Sequence, residues 1–536
     1  MWAQNYLPVA DSLALSALLA AIPIFVLLAL IGIMRKPAWV AAVSSLATAF
    51  ILAVAVYGMP VKLAISASFF GAAQGLLPIG WVVYWAIVLY RITLDTGKFE
   101  IIKDSIGGLT PDRRLQAMLI AFAFGAFIEG ATGFGTPVAV AAAMLTGLGF
   151  SPFFAAGICL LANTAPVAFG SIGTPIVTLA STTGIPELEL SAWVGRLCAP
   201  ISIFVPTYLI LVMGGVKGLK GVLPAAALCG LAFASTQFVV SNFIGPQLTD
   251  ILAAMVAILA LVVLFKVWKP ADQFVMAGDT QGALGAAHSP RETLLAWSPY
   301  IFLVIFVLVW GSPWGKALLD KTTVRFAWPG LHNMVQQSSP VVNTPAPYAA
   351  MFNFVWLAAA GTACALASLV SALVLKMSLG TYVKTLGKVL KQMAFSLLTI
   401  ASVLALSTLM NYSGSIVTMG MAFASTGALL FPFFSALLGW LGVFLTGSDT
   451  SANALFGNLQ VVTAKQLGLN PAMMAAANSA GGVMGKMISV QSLAVAVAAT
   501  GMARSQESEL LRFTVKHSVF LACVLGVLSM IYAYVF

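Results

Sequence analysis

The stretch FIEGATGFGTP, Phe127–Pro137, lies inside a long apolar region, yet it contains a carboxylate, three glycines and a proline. Glycine and proline interrupt helical backbone, and at membrane depth the freed polar groups are tolerated only where protein or a water-lined cavity satisfies them. A charge at the bilayer centre costs about 2.5–3.5 kcal/mol, so the carboxylate of Glu129 needs a function or a partner. The stretch therefore predicts a helix that is broken inside a membrane, beside a polar site.

The composition is that of a membrane protein. Of the 536 residues, 60% are hydrophobic and only 8% are charged, whereas soluble domains are about 25% charged. Apolar runs long enough to span recur along the chain, at Leu13–Met34, Ala38–Tyr57, Leu76–Ile92, Ile251–Phe265, Leu294–Trp310, Phe352–Leu375 and Phe513–Phe536. They are continuously apolar, which indicates helices. We expect an all-α polytopic membrane protein with about twelve transmembrane helices plus re-entrant or broken helices.

Charge and motifs exclude several other classes of protein. A formal net charge of +10 would suggest nucleic-acid binding in a soluble protein, but here Lys and Arg concentrate in loops, where the positive-inside rule explains them. The five cysteines have no metal-type spacing, and the sequence shows no nucleotide motif, nucleophile elbow or phosphate loop. We expect no cofactor, metal site, nucleic-acid partner or enzymatic activity, and a channel remains an alternative to a transporter.

The chain contains an internal repeat. Three pairs of glycines within similar motifs lie 317 positions apart: Gly97 and Gly414, Gly130 and Gly447, and Gly184 and Gly501. Between them, LGFSPFFAA (148–156) matches LGLNPAMMAA (467–476). This self-similarity predicts a duplication. The first repeat covers residues 1–265, a connector covers 266–292, and the second repeat covers 293–536.

Loop charge indicates that the two repeats have opposite orientations. After Asp95 the first repeat carries four basic residues, whereas the matching stretch after Asn411 carries none before Lys465. Because basic loops stay on the cytoplasmic side, equivalent loops lie on opposite faces of the membrane, and such inverted repeats are typical of transporters. The same rule places the connector in the cytoplasm with the segments around Arg35, Lys217 and Arg504, and places both termini, Pro186–Leu190 and Ser312–Pro347 outside.

Each repeat has two helix interruptions at matching places. They are Glu129–Pro137 and Asn163–Pro175 in the first repeat, and Gly447–Asn453 and Asn478–Ser489 in the second. Since the repeat relates all four, we expect them to converge on one central site. Half-helix N-termini there would present unpaired N–H groups and positive dipole ends, which suit a carboxylate.

The residues at these breaks suit a small hydroxylated anion, because amides and hydroxyls donate to a carboxylate and exchange hydrogen bonds with a hydroxyl. Lys486 is the candidate cation, which could neutralise the substrate or pair with Asp449. The alternative for each residue is that its side chain only forms hydrogen bonds with backbone groups that the helix break leaves unpaired. The candidate substrate-binding residues are Thr132, Gly133, Gly135, Thr136, Asn163, Thr164, Ser171, Thr174, Ser448, Thr450, Ser451, Asn453, Asn478, Ser479 and Lys486.

Glu129 and Asp449 are the acidic residues of the first break in each repeat. Each could carry a proton, or each could be the fixed partner of a buried cation that holds the break together. We expect proton coupling at Glu129 first and at Asp449 second. Sodium held by oxygen atoms at the paired breaks is the alternative coupling ion.

Several motifs resemble those of the bacterial L-lactate permease family, which includes glycolate permeases. They are EGATGFGTPVAVAAAML (129–145), LANTAPVAFGSIGTPI (161–176), TGSDTSANALFGNLQ (446–460) and NSAGGVMGKMIS (478–489). The resemblance covers essentially the whole chain. It implies proton-coupled, alternating-access uptake of L-lactate, D-lactate and glycolate across the bacterial inner membrane, with these substrates, protons and the lipid bilayer as partners. A more distant similarity to transporters with re-entrant hairpins implies an elevator motion, and a sodium-coupled carboxylate transporter is the alternative.

Overall fold

The computed structural model describes residues 1–34, 36–133, 135–272, 274, 288–339, 342, 344–425, 427–503 and 506–535. Most of the connector expected at 266–292 lies outside these residues, as do Arg35 and Arg504. The regular secondary structure of the described chain is helical apart from five short strands. This confirms the expected all-α membrane fold.

The first half contains twelve α-helices in the described residues. Two π-helical stretches continue the helical path from α3 to α4 (Gly75–Gly80) and from α6 to α7 (Ala117–Phe124). The helices are α1 (Leu13–Leu28), α2 (Ala38–Ala55), α3 (Val61–Gln74), α4 (Trp81–Asp95), α5 (Lys98–Gly107), α6 (Arg113–Gln116), α7 (Gly125–Thr132), α8 (Thr136–Gly147), α9 (Pro152–Ala162), α10 (Gly170–Thr183), α11 (Glu187–Phe243) and α12 (Thr249–Val267).

The second half adds ten helices within the described chain: α13 (Pro290–Gly311), α14 (Pro313–Leu319), α15 (Ala360–Val374), α16 (Leu379–Ser413), α17 (Ser415–Ala424), α18 (Phe431–Thr446), α19 (Asp449–Leu467), α20 (Pro471–Lys486), α21 (Val490–Thr500) and α22 (Glu507–Tyr534). The strands are β1 (Trp2–Ala3), β2 (Val324–Ala327), β3 (Val335–Gln337), β4 (Ala346–Tyr348) and β5 (Met351–Phe354). β3 pairs with β1 in parallel and with β4 antiparallel, while β2 and β5 form an antiparallel pair. The first residues of the chain therefore lie beside the 324–354 loop.

Ten helical stretches of the described chain are long and apolar enough to cross a membrane, or eleven if the bent α9–α10 pair is one span. The longest, α11, folds back on itself at Gly215 and Val222, which have non-helical backbone angles. Its two arms are joined by a 2.8 Å hydrogen bond from Ser191 Oγ to the Ser241 carbonyl oxygen. Counting these arms separately brings the number of passes to the predicted value of about twelve.

The first predicted break is the tip of a helical hairpin. Helix α7 ends at Thr132, Gly133 has a positive φ of 62°, and α8 begins at Thr136. At the open end, Arg113 Nη1 donates a 2.5 Å hydrogen bond to the carbonyl oxygen of Leu148. The chain therefore leaves the hairpin on the side where it entered, as expected for a re-entrant element.

A second hairpin is formed by α18 and α19, with its tip at Gly447. Gly447 has φ 72° and ends α18, and the Ser448 hydroxyl accepts a hydrogen bond from the Ser451 N–H at the start of α19. The two arms are also joined further from the tip, where Gln460 Nε2 donates a 3.3 Å hydrogen bond to the carbonyl oxygen of Ser435. The predicted break at Gly447 is confirmed.

The two breaks that follow the hairpins differ from each other. The α9–α10 pair is bent by 65°, and the backbone at Ser171 and Gly173 is left-handed, so the break at 163–175 is confirmed. The predicted break at Asn478–Ser489 is wrong over most of its length, because α20 runs unbroken to Lys486. The first repeat has Pro166 at this place, which cannot donate a helical hydrogen bond. In the second repeat, glycines such as Gly481 instead allow α20 to pack closely against α18.

Candidate functional site

A cavity of about 50 Å³ lies between the two hairpin tips. This volume holds several water molecules or a small part of a ligand. It is bounded by both hairpins, by the bend in α10 and by the junction of α20 and α21. The lining residues are Glu129, Gly133, Val167, Gly170, Ser171, Pro175, Gly447, Ser448, Asp449, Thr450, Lys486 and Gln491.

Glu129 stands one turn before the tip of the first hairpin and is only 4% exposed. Its carboxylate fits over Gly170, since a methyl group built there would lie 2.5 Å from Oε1. The side chain of Asn163 interacts with this carboxylate, but neither the other oxygen, Oε2, nor the amide of Asn163 nor the hydroxyl of Ser171 forms a hydrogen bond of good geometry. Unpaired buried polar atoms are rare in folded proteins, and their clustering here is expected of a site that binds a polar ligand.

Asp449 stands in the first turn of α19, which is the arm that follows the tip of the second hairpin. Glu129, by contrast, lies on the arm that precedes the tip of the first hairpin. Its Oδ2 accepts hydrogen bonds from Ser479 Oγ at 2.7 Å and from Asn453 Nδ2 at 3.3 Å. Its Oδ1 has no partner. Asp449 is therefore held by polar neighbours on one side and open on the other.

The network around Asp449 links the two halves of the chain. Asn453 Nδ2 also donates to the carbonyl oxygen of Pro175 at 3.2 Å, in the broken start of α10. Asn478 Nδ2 donates to Asn453 Oδ1 at 3.0 Å, and Gln460 Nε2 donates to Asn478 Oδ1 at 3.2 Å. Asn453, Asn478 and Ser479 thus position Asp449 from behind the cavity rather than lining it.

Lys486 is the last residue of α20 and is 5% exposed. Its ammonium group donates a 2.6 Å hydrogen bond to the carbonyl oxygen of Gly447 and interacts electrostatically with Glu129 and Asp449. Its charge is therefore fixed at the second hairpin tip, facing both carboxylates. An anion bound in this cavity would lie beside the ammonium of Lys486 and the carboxyl groups of Glu129 and Asp449.

Several predicted ligands do not line the cavity. Thr132, Thr164 and Thr174 each donate to a backbone carbonyl oxygen of their own segment, at 2.9, 2.7 and 2.5 Å, as the backbone-satisfying alternative expected. Five predicted residues do line it besides the two carboxylates: Gly133, Ser171, Ser448, Thr450 and Lys486. The predicted residues outside the lining are Thr132, Gly135, Thr136, Asn163, Thr164, Thr174, Ser451, Asn453, Asn478 and Ser479.

Sequence reasoning missed two polar residues of this region. Gln491 lines the cavity from the first turn of α21, just beyond the last predicted break. Asp250 is a buried carboxylate near Glu129 at the start of α12, a helix without a break. An acidic residue at the edge of an apolar run was the available signal for Asp250, whereas the pattern held no signal for Gln491.

The repeat alignment is off by almost one turn at the first break. The motifs pair Gly130 with Gly447, but Gly130 is helical, and it is Gly133 that ends α7 as Gly447 ends α18. Glu129 therefore belongs to the arm before its tip and Asp449 to the arm after it.

Three helix starts meet at the cavity: those of α10, α19 and α21. Such ends carry positive partial charge and free N–H groups, which together with a lysine favour an anion. Among the described residues, no three His, Cys, Asp or Glu side chains are grouped as metal ligands. The arrangement is suited to binding a small carboxylate next to groups that can take up a proton.

Comparison with known proteins matches this chain to one family. The family model described as L-lactate permease matches residues 16–536. The chain is 44% identical to the L-lactate permease of Bacillus subtilis, covering 100% of this chain and 99% of that protein. It is 43% identical to the glycolate permease GlcA of Escherichia coli, covering 100% and 98%. Among solved structures, MtrF of Neisseria gonorrhoeae aligns over 87% of this chain and 83% of its own, at 13% identity and a TM-score of 0.45.

Proposed function

We propose that this chain, which belongs to the L-lactate permease family, imports L-lactate and related 2-hydroxy monocarboxylates, D-lactate and glycolate, by proton symport. The chain is a multi-pass membrane permease and not an enzyme. The relatives' names supply L-lactate and glycolate, D-lactate follows from the family resemblance of the motifs, and the relatives' bacterial origin supports the inner membrane as the location. The observation that carries the proposal is the cavity between the hairpin tips, where Glu129, Asp449 and Lys486 meet.

The substrate carboxylate is held by the helix starts and by Lys486. The starts of α10, α19 and α21 surround the cavity, and the ammonium of Lys486 is fixed beside Gly447. The hydroxyls of Ser171 and Thr450 line the same space. Because a hydroxyl both donates and accepts, these groups suit the 2-hydroxyl of lactate or glycolate.

Glu129 carries the coupled proton, with Asp449 as the second candidate. Moving one lactate anion into a negative interior costs about 2.3 kcal/mol per 100 mV, and a co-transported proton removes this cost. Glu129 Oε2 has no hydrogen-bond donor, whereas Asp449 Oδ2 accepts two hydrogen bonds. A carboxylate held by donors is stabilised as an anion. Glu129 has the Asn163 side chain beside it but no well-formed hydrogen bond to Oε2, so it is better suited than Asp449 to gain and lose a proton.

Alternating access uses two inverted repeats, at 1–265 and 293–536. The repeat-related helices α5 and α17 each have 10 residues and follow glycines with positive φ, Gly97 and Gly414. These glycines lie near opposite ends of α16: Thr385 Oγ1 donates to Asp95 at 2.7 Å, close to Gly97, while α16 ends at Gly414. The 29 residues from Thr385 to Gly414 span about 43 Å, which supports opposite orientations of the two repeats.

Proteoliposomes test the proposal. Radiolabelled L-lactate uptake into vesicles with purified protein is measured with an inward proton gradient, an inward sodium gradient, or neither. We expect accumulation with the proton gradient alone, competed by glycolate and D-lactate. Accumulation that needs sodium would replace the proton by the alternative ion, and no accumulation under any gradient would contradict the substrate assignment.

A further inference from the structure

Asp250 is a buried carboxylate that the proposed transport cycle does not use. It stands in the first turn of α12, is 1% exposed, and neither of its carboxylate oxygens has a hydrogen-bond partner. An acid that stabilises a helix start normally does so near free N–H groups, and a capping carboxylate accepts hydrogen bonds from them. Asp250 accepts none, so capping does not explain it.

Asp250 packs against the helical turn that carries Glu129. A methyl group built on Gly130, the residue after Glu129, would lie 2.8 Å from Asp250 Cβ. The two carboxylates interact electrostatically, and both have an oxygen without a partner. Like charges in a buried site repel each other strongly, so such a pair favours a state in which one proton is bound.

The surroundings of Asp250 contain few other ionisable groups. From α7 it faces Glu129, and from α11 the thiol of Cys198 lies within electrostatic reach. Glu129 interacts electrostatically both with Asp250 and with Lys486. Glu129 therefore links Asp250 to the cation of the cavity.

Asp250 also lies close to one end of the helix bundle. Its helix follows the short helical turn Pro246–Leu248, and the side-chain amide of Gln247 donates to the carboxylate of Glu187 at the start of α11. Loop charge places the segment that contains Glu187 outside. The order from this end inward is Gln247, Asp250, Glu129 and the cavity.

We propose that Asp250 is a relay residue that receives the coupled proton from the external side and passes it to Glu129. In the step, a proton from external water binds an Asp250 carboxylate oxygen. The O–H bond then breaks as the proton passes to Glu129 Oε2, and Asp250 returns to the carboxylate. One proton moves, no other bond changes, and nothing is oxidised or reduced. This inference rests on the proposed proton symport.

Asp250→Asn tests the relay because the amide keeps the size of the side chain but cannot cycle a proton. Two rates are measured in proteoliposomes: net L-lactate uptake under a proton gradient, and exchange of internal for external L-lactate without one. Only net uptake requires the proton to be taken up and released in each cycle. We expect net uptake to fall about a hundredfold or more, the lower end of the range for losing a proton-transfer group, while exchange stays within about threefold of wild type.

Two further variants and a control complete the experiment. Asp250→Ser is a second neutral variant for the case that the asparagine variant is not recovered as folded protein, and it should show the same split. Asp250→Glu keeps a titratable group and should retain more net uptake than either neutral variant. Asp320→Asn, in an exposed loop ion pair with Arg325, should leave both rates unchanged.

The outcomes separate the relay from the proposed function. If wild type is driven by protons and the neutral variants match its net uptake, the relay is overturned while the symport stands. Equal losses of net uptake and exchange in the neutral variants would show a structural role and would also overturn the relay. If wild type shows no proton-driven uptake, the symport fails and the relay fails with it.

Discussion

The ammonium group of Lys486 donates a 2.6 Å hydrogen bond to the carbonyl oxygen of Gly447. This bond joins the end of α20 to the tip of the α18–α19 hairpin, where the backbone has left the helix and its carbonyl needs a donor. The same cation interacts with Glu129 and Asp449. One buried lysine thus completes a broken helix and sets the electrostatics of the cavity.

Replacing Lys486 should weaken substrate binding. In Lys486→Ala, the substrate carboxylate loses a charged donor, an interaction of about 1.5–3 kcal/mol. We expect the half-saturating L-lactate concentration to rise about tenfold or more. Lys465→Ala, at the exposed end of α19, is the matched control and should keep the wild-type value. An unchanged half-saturating concentration in Lys486→Ala would leave this lysine with a structural role only.

Neutralising Glu129 should separate exchange from accumulation. Glu129→Gln keeps the shape that fits over Gly170 but cannot release a proton. Proton-driven accumulation of L-lactate should disappear, while exchange of labelled L-lactate across the membrane continues. Both are measured in the same vesicles, so the variant's folding is controlled internally. Wild-type accumulation in this variant would remove Glu129 as the proton carrier.

Neutralising Asp449 should damage both activities. Its Oδ2 accepts hydrogen bonds from Ser479 and Asn453, which the amide oxygen of Asp449→Asn can keep, but the amide nitrogen then replaces Oδ1, which has no partner, and is left as an unpaired buried donor. An unpaired buried donor costs about 1–3 kcal/mol, and here it would disturb the second hairpin tip. Exchange and accumulation should therefore fall together. Loss of accumulation with intact exchange would instead make Asp449 a proton carrier.

Two glycines of the α10 segment offer a matched test of the bend. Gly173 and Gly184 have φ 72° and 70°, so Ala costs about 1–2 kcal/mol of backbone strain at either. A methyl group on Gly173 would also lie 2.8 Å from Pro246, whereas one on Gly184 would have nothing within 4 Å. We expect Gly173→Ala to lower the melting temperature in detergent clearly more than Gly184→Ala. Equal shifts would show that the contact with Pro246 is not tight.

The inverted topology can be tested by cysteine accessibility. In a chain from which the five native cysteines have been removed, single cysteines at two exposed positions should react with a membrane-impermeant maleimide from opposite sides. One is Gly97, and the other is Asn5. The neighbour of Asn5, Gln4, donates a hydrogen bond to the carbonyl oxygen of Asn411, close to the buried Gly414. Gly330, in the 324–354 loop, is the external reference. Labelling of both positions from the same side in oriented vesicles would contradict the inverted repeat.

Sequence patterns predicted the helical fold and three of the four breaks. Glycine and proline in apolar runs are strong local signals, because they change the backbone wherever they stand. The fourth break was misplaced because glycines also allow close helix packing, as Gly481 does against α18. Whether a glycine breaks its helix or allows close packing depends on the neighbouring helix. The sequence pattern of one helix does not show which helix will pack against it.

Part of the candidate site was predictable, because it contains residue types that are rare in apolar runs. Glu129, Asp449 and Lys486 stood out because charges in apolar runs are rare, and all three line the cavity. Asp250 was missed because it lies at the edge of an apolar run, where acids are common. Its proposed role rests on packing against Gly130, the residue after Glu129, at a sequence separation of more than 100 residues. Long-range contacts of this kind need the fold.

Proton movement driven by lactate itself tests the central claim most directly. Vesicles that contain the purified protein and an internal pH-sensitive dye start with no proton or sodium gradient, and L-lactate is then added outside. Because lactate is proposed to enter with a proton bound at Glu129, the interior should acidify in wild-type vesicles and stay constant in Glu129→Gln vesicles. Lactate influx into wild-type vesicles without internal acidification, measured with the membrane potential clamped, would contradict proton symport.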